Sequence, residues 1–154
     1  MPKIEIDSVP ERKGSGYPAP FHEKCTERVR KALGDAGGLS QFGVNLLTLK
    51  PGVWSSQRHW HSAEDEFVYV LSGEVVLIDD AGEKVLRAGD CAAFPKGDGN
   101  GHHLINRSGS IATCLEIGTR QPENDFVVYS DIDMQLDRKA TDFAHKDGTL
   151  YPKR

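Results

Sequence analysis

The chain has 154 residues, 38% hydrophobic and 27% charged, with a net charge of −4, a balance that reads as one soluble globular domain long enough to bury a core. The signs are interspersed, so no basic block points to nucleic acid, no basic amphipathic helix points to a membrane surface, and no apolar run reaches transmembrane length. Cys25, Cys91 and Cys114 are odd in number and too scattered for a disulfide framework or a zinc ribbon; with no signal-peptide core at the amino terminus, reduced thiols and a cytoplasmic location are the expectation.

In chain order, "KIEID" (residues 3–7) alternates like a short strand and is followed by a Gly/Pro-rich loop, "GSGYPAPF". The stretch "HEKCTERVRKALGDAGG" (residues 22–38) predicts a helix, with Thr26 as N-cap, Val29, Ala32 and Leu33 on one face, and Gly37 and Gly38 as the stop. From Gln41 the texture changes to short strands: "FGVNLLTL", "VWSSQRHW", "EFVYVLSG", "EVVLID", "EKVLRAGD", "CAAFP", "HHLIN", "IATCLEIG" and "DFVVYS". Turn-forming segments separate them, and "DDAG" is a hairpin signal. Many close strands with no helix between them argue for an antiparallel sandwich or barrel. The expected organisation is a single domain over residues 1–154: an arm and helix (1–40), a barrel (41–130) and a tail (131–154) that wraps the barrel or packs on a partner.

Strand side chains alternate, so His59 and His61 share a face while Arg58 and Trp60 point the other way. Two imidazoles about 7 Å apart along a strand can converge on one metal ion. Glu64, Asp65 and Glu66 follow closely, and "GHHLIN" offers His102 or His103 from another strand. Imidazole with carboxylate suits manganese, iron, cobalt, nickel, copper or zinc without choosing among them.

The spacing of these residues resembles the cupin superfamily. Gly52 is followed by six residues, then His59-Trp60-His61, four residues, Glu66, six residues and Gly73. After fifteen more residues a second motif begins at Gly89, continues through Pro95-Lys96-Gly97, and ends with His102, three residues and Asn106. The motifs span residues 52–73 and 89–106, and depart from the family pattern in one extra residue before His59 and two before His102. The resemblance implies an all-β fold, an antiparallel double-stranded β-helix (a jelly-roll barrel) with a short N-terminal helix. It also implies one divalent transition metal per chain, held by His59, His61, Glu66 and His102.

Further cavity-lining candidates follow from parity: Gln57 precedes His59 on the same face, and Cys114 and Glu116 form the smaller, more polar face of "IATCLEIG". Arg58 and Lys96 could meet an anion at the mouth, although solvation is the plainer reading. What the resemblance implies for activity is a metal-dependent enzyme acting on a small oxygenated substrate (a carbonyl compound, hydroxy acid or sugar phosphate) by isomerase, lyase or dioxygenase chemistry. The alternative is a non-catalytic, metal-dependent small-molecule binding or sensor protein. No catalytic residue stands out. The expected partners are a small molecule and a second copy of the chain, in a homodimer formed by "KIEID" adding to a neighbour's sheet and by burial of Trp60, Phe67 and Tyr69.

Overall fold

The computed structural model describes residues 2–154. Thirteen strands follow one another: β1 (Glu11–Lys13), β2 (Val29–Ala32), β3 (Phe42–Leu49), β4 (His59–His61), β5 (Glu66–Ser72), β6 (Glu74–Asp79), β7 (Gly82–Arg87), β8 (Cys91–Phe94), β9 (His103–Ile105), β10 (Ala112–Thr119), β11 (Phe126–Tyr129), β12 (Met134–Asp137) and β13 (Phe143–Ala144). A single helical turn, α1 (Leu33–Ala36), lies between β2 and β3. One layer has the order β1-β2-β3-β10-β5-β8; facing it are the groups β13-β12-β11-β4 and β7-β6-β9. Bridges between His59 and His102 and between Trp54 and Ile105 tie β4 to β9 and unite these two groups. Every strand pairing is antiparallel, and the whole is the double-stranded β-helix that the motifs imply.

The inward faces change character along each strand. On β3 they read Leu49, Leu47, Asn45, Gly43; on β10 the opposed residues are Ala112, Cys114, Glu116, Gly118; on β5 they are Val70, Val68 and Glu66. The apolar ends meet Val75, Leu77, Leu86 and Leu104 from the other layer in one core. The polar ends are left to face a cavity. A second cluster joins the N-terminal arm (Tyr17, Phe21, Cys25) to the tail (Met134, Phe143, Tyr151) across β11, so the tail wraps the barrel. Gly73 shows why its motif needs glycine: φ is +73°, and a Cβ there would sit 2.7 Å from the Ile111 carbonyl oxygen.

Three expectations fail. The helix predicted over residues 22–38 is a 3₁₀ turn (Glu23–Cys25), strand β2 and the one turn of α1. Pairing with β3 from Val29↔Thr48 to Ala32↔Asn45 overrides the helical tendency of "TERVRKAL", as sheet pairing can when propensity differences are small. Gly37 does end α1. "KIEID" is no strand: Ile6–Ser8 form a 3₁₀ turn, and the N-terminal strand is Glu11–Lys13. "VWSSQRHW" shrinks to β4, because the Ser55 hydroxyl accepts the Leu104 N–H where a ladder carbonyl would. The "DDAG" hairpin forms as predicted, with Asp79 opposite Gly82. No helix among the described residues is long and apolar enough to cross a membrane.

Candidate metal centre and its cavity

Short strand β4 presents His59 and His61 on one face, the first residue of β5 presents Glu66, and the bridge to His59 brings in His102. The Nε2 atoms of His61 and His102 lie 2.5 and 2.6 Å from the two oxygens of Glu66, and that of His59 lies 3.6 Å away. The rings of His61 and His102 are centred 5.1 and 4.9 Å from that of His59. The predicted quartet therefore comes together in space.

The other ring nitrogens set the tautomers. His59 Nδ1 lies 2.8 Å from the carbonyl oxygen of Gln57, which can only accept, so Nδ1 carries the proton and Nε2 keeps its lone pair. His61 Nδ1 donates to Asp125 Oδ2 at 2.7 Å. Its Nε2 then faces a carboxylate oxygen of Glu66, an arrangement that needs a positive charge between the two atoms. In the metal-free chain a proton meets that need. Burial would lower His61, but its bonds to Asp125 and Glu66 raise it to about 10. Burial also disfavours the Glu66 anion, yet the imidazoles around it hold it well below the usual carboxylate range. His102 is lowered by burial, which Glu66 only partly offsets; its ring stacks flat on Phe94 at 3.6 Å, and its buried Nδ1 has no partner. Three inward nitrogens around one ionised carboxylate, two with tautomers fixed for donation, form a set that fits a divalent cation.

The alternatives left open by the sequence are resolved by contacts. His103 turns away, with Nδ1 2.9 Å from the Ser56 carbonyl oxygen and its ring edge-on to Trp54. Glu64 accepts from the Gln121 N–H and from Arg138 at 2.9 Å. Asp65 accepts the Lys96 N–H. Asp125, buried behind His61, also accepts the Ala63 N–H and lies 3.6 Å from Arg138.

The quartet opens into a cavity of about 380 Å³. The same lining also carries a group of different chemistry. Arg30 on β2 makes a bidentate pair with Glu116, at 2.6 and 2.9 Å. Arg28 lies two residues earlier and donates to the carbonyl oxygens of Ser55 (2.6 Å) and Gly14 (2.8 Å). Among the described residues no carboxylate lies within ion-pair distance of Arg28, and its buried Nε has no partner. Tyr17 and Asn45 complete this side, with Arg120 and Arg138 also on the lining.

Glu116 therefore lines the cavity as predicted, but Cys114 and Gln57 do not. Cys114 has the right parity at the wrong depth: it is fully buried in the core, beside Leu47 and Val70. Gln57 is buried with its amide donating to the Phe21 carbonyl oxygen. Arg58 is committed to Asp131 and Asp80 rather than to an anion at the mouth. Sequence reasoning missed Arg28, Arg30, Asp125 and Arg138. For the first two the signal was present in "ERVR", since on a strand residues two apart share a face.

A family model for the cupin domain matches residues 45–118. Among solved structures, a sugar phosphate isomerase of the cupin superfamily from Silicibacter pomeroyi is 49% identical, covers 98% of this chain and 97% of its own, and superposes with a TM-score of 0.92. A proposed sugar phosphate isomerase from Acidithiobacillus ferrooxidans is 35% identical over 77% of this chain and 74% of its own, with a TM-score of 0.71. A polyketide cyclase from Streptomyces resistomycificus, 18% identical over 79% of this chain and 80% of its own, shares the fold with a TM-score of 0.62. No curated protein matches the sequence.

Proposed function

The chain belongs to the cupin superfamily, and from that premise we propose that it is a metal-dependent enzyme that isomerises a small sugar phosphate or similar hydroxy-carbonyl compound. The observation that carries the proposal is the convergence of His59, His61 and His102 on Glu66 at the wall of a cavity of about 380 Å³. That volume lies within the usual range for small-molecule sites. The likeness to a sugar phosphate isomerase at 49% identity supports the substrate class.

A divalent metal held by these four residues would polarise a carbonyl or hydroxyl oxygen and favour the negative charge that develops on it. The chain supplies the rest. Asp125 and the Gln57 carbonyl keep His61 and His59 in the donating tautomer. Phe94 covers His102 and excludes water from that side. Isomerisation of an aldose to a ketose moves one carbon-bound proton to the neighbouring carbon and one hydroxyl proton to the former carbonyl oxygen, with no net redox change.

The test is incubation of metal-loaded protein with pentose and hexose phosphates in D₂O under argon, with isomers and deuterium content read by mass spectrometry. Deuterium-labelled isomer that disappears with chelator is the expected result. Turnover that appears only when air replaces the argon, with oxygen consumed, would replace this reading with a dioxygenase. The non-catalytic reading draws on one observation: Glu64 and Glu116, the other carboxylates on the lining, are both held by arginines, which leaves neither free as a base. Binding without turnover would establish it. The proposal also includes a two-fold homodimer, supported by exposed Tyr69 and Leu71 on β5. Light scattering that shows a monomer at micromolar concentration would remove it.

A further inference from the structure

Taking a guanidinium out of water without a counter-charge is costly, and proteins ordinarily bury such groups only in pairs with acids. Arg28 breaks that pattern. It is 9% exposed, and its two terminal nitrogens meet only backbone carbonyl oxygens, which neutralise no charge. Its Nε is buried and unpartnered. Arg30 stands beside it, and Glu116 on the same lining is already taken by Arg30 in a bidentate pair. Both arginines line the same cavity as the histidines. Arg30 is on β2, opposite inward-facing Leu47, and Arg28 lies just before that strand, where its carbonyl oxygen accepts the Gly14 N–H.

We propose that Arg28 and Arg30 form an oxyanion subsite, which receives the phosphate or carboxylate terminus of the substrate while its hydroxyl or carbonyl end faces His59, His61, Glu66 and His102. This deepens the reading of the chain as an enzyme of small oxygenated compounds, and it assigns the residues that select for charge. A bound oxyanion supplies the missing counter-charge to Arg28 across the cavity wall. Arg30 supplies donors on the same side, since its Nη1 is not used in the pair with Glu116. Guanidinium suits this task because it stays charged and matches oxyanion geometry.

The test uses the full chain freed of metal, so that it does not depend on metal binding or turnover. Affinities for ribose and ribose 5-phosphate, and for glucose and glucuronate, are measured by isothermal titration calorimetry. The intact protein should prefer at least one charged probe over its neutral partner by tenfold or more; which pair shows the preference distinguishes phosphate from carboxylate. Arg30→Gln should cut that preference to threefold or less. Arg28→Gln should do the same, and Arg28→Lys should restore part of it. Should Arg28→Gln fail to fold, the intact protein and Arg30→Gln still decide the matter. No preference in the intact protein, or a preference that survives Arg30→Gln, would overturn the proposal. Loss of isomerase activity with the preference retained would sink the proposed reaction and leave the subsite standing.

Discussion

The two walls of the cavity solve the problem of buried charge in opposite ways. On the imidazole side every ionised oxygen of Glu66 has nitrogen partners, and Asp125 and Arg138 back the arrangement from behind. On the guanidinium side Glu116 pairs with Arg30, whereas Arg28 meets only backbone carbonyl oxygens among the described residues. The first wall has too few positive charges for its carboxylates until a proton or a cation arrives; the second has one too many. On the reading proposed above, a cation would complete the first wall and an oxyanion the second.

The sharpest way to break the contrast is to remove the imidazoles. His59→Ala combined with His61→Ala should reduce metal to background in elemental analysis, and the intact protein should carry about one ion per chain. Retention of metal in the double variant would refute the quartet. Acid should act next most strongly, because protons compete for the same lone pairs. Metal affinity should fall about tenfold per unit as pH drops below about 10, because His61 without metal holds its proton up to that value, in competition with a fluorescent chelator. The sign follows from ligation by neutral rings, and flat affinity between pH 7 and 5 would contradict it. Over the same interval the arginine wall keeps its charge.

Smaller changes sharpen the comparison. Asp125→Asn keeps the shape behind His61 but removes the charge, and should weaken metal binding about 10- to 100-fold, the usual worth of such a supporting carboxylate. An unchanged dissociation constant would mean that Asp125 serves packing alone. On the opposite wall Glu116→Gln should strengthen binding of charged probes by about two- to fivefold, in line with the modest value of a partly exposed ion pair. Weaker binding would show that Glu116 matters mainly by holding Arg30 in place.

Legibility divides along the same line. The quartet is readable because period-two alternation and two spaced motifs depend on residues close in sequence, and the barrel follows from the same alternation. Cys114 shows the limit of parity: its face is right, but only the register of β10 against β3 and β5 tells that it lies level with Leu47 and Val70 while Glu116 lies level with Asn45. Arg28 and Arg30 went unread because "TERVRKAL" carries a helical pattern, and its conversion to a strand depends on β3, which follows later in the chain. Asp125 is 64 residues from His61, a separation no local pattern spans.

The stack of Phe94 on His102 sets that ring apart from the other two imidazoles. His59 and His61 are aimed from behind by directional bonds to Gln57 and Asp125, whereas behind its bond to Glu66 the His102 ring is held by a flat stack, with interplanar angle 3° and no acceptor at Nδ1 among the described residues. A flat aromatic face resists tilting but offers less resistance to sliding than a directional bond does. With a divalent ion bound, tolerance of unlike radius would enter the site at that corner. Placing an acceptor within reach of His102 Nδ1 would trade that tolerance for selectivity.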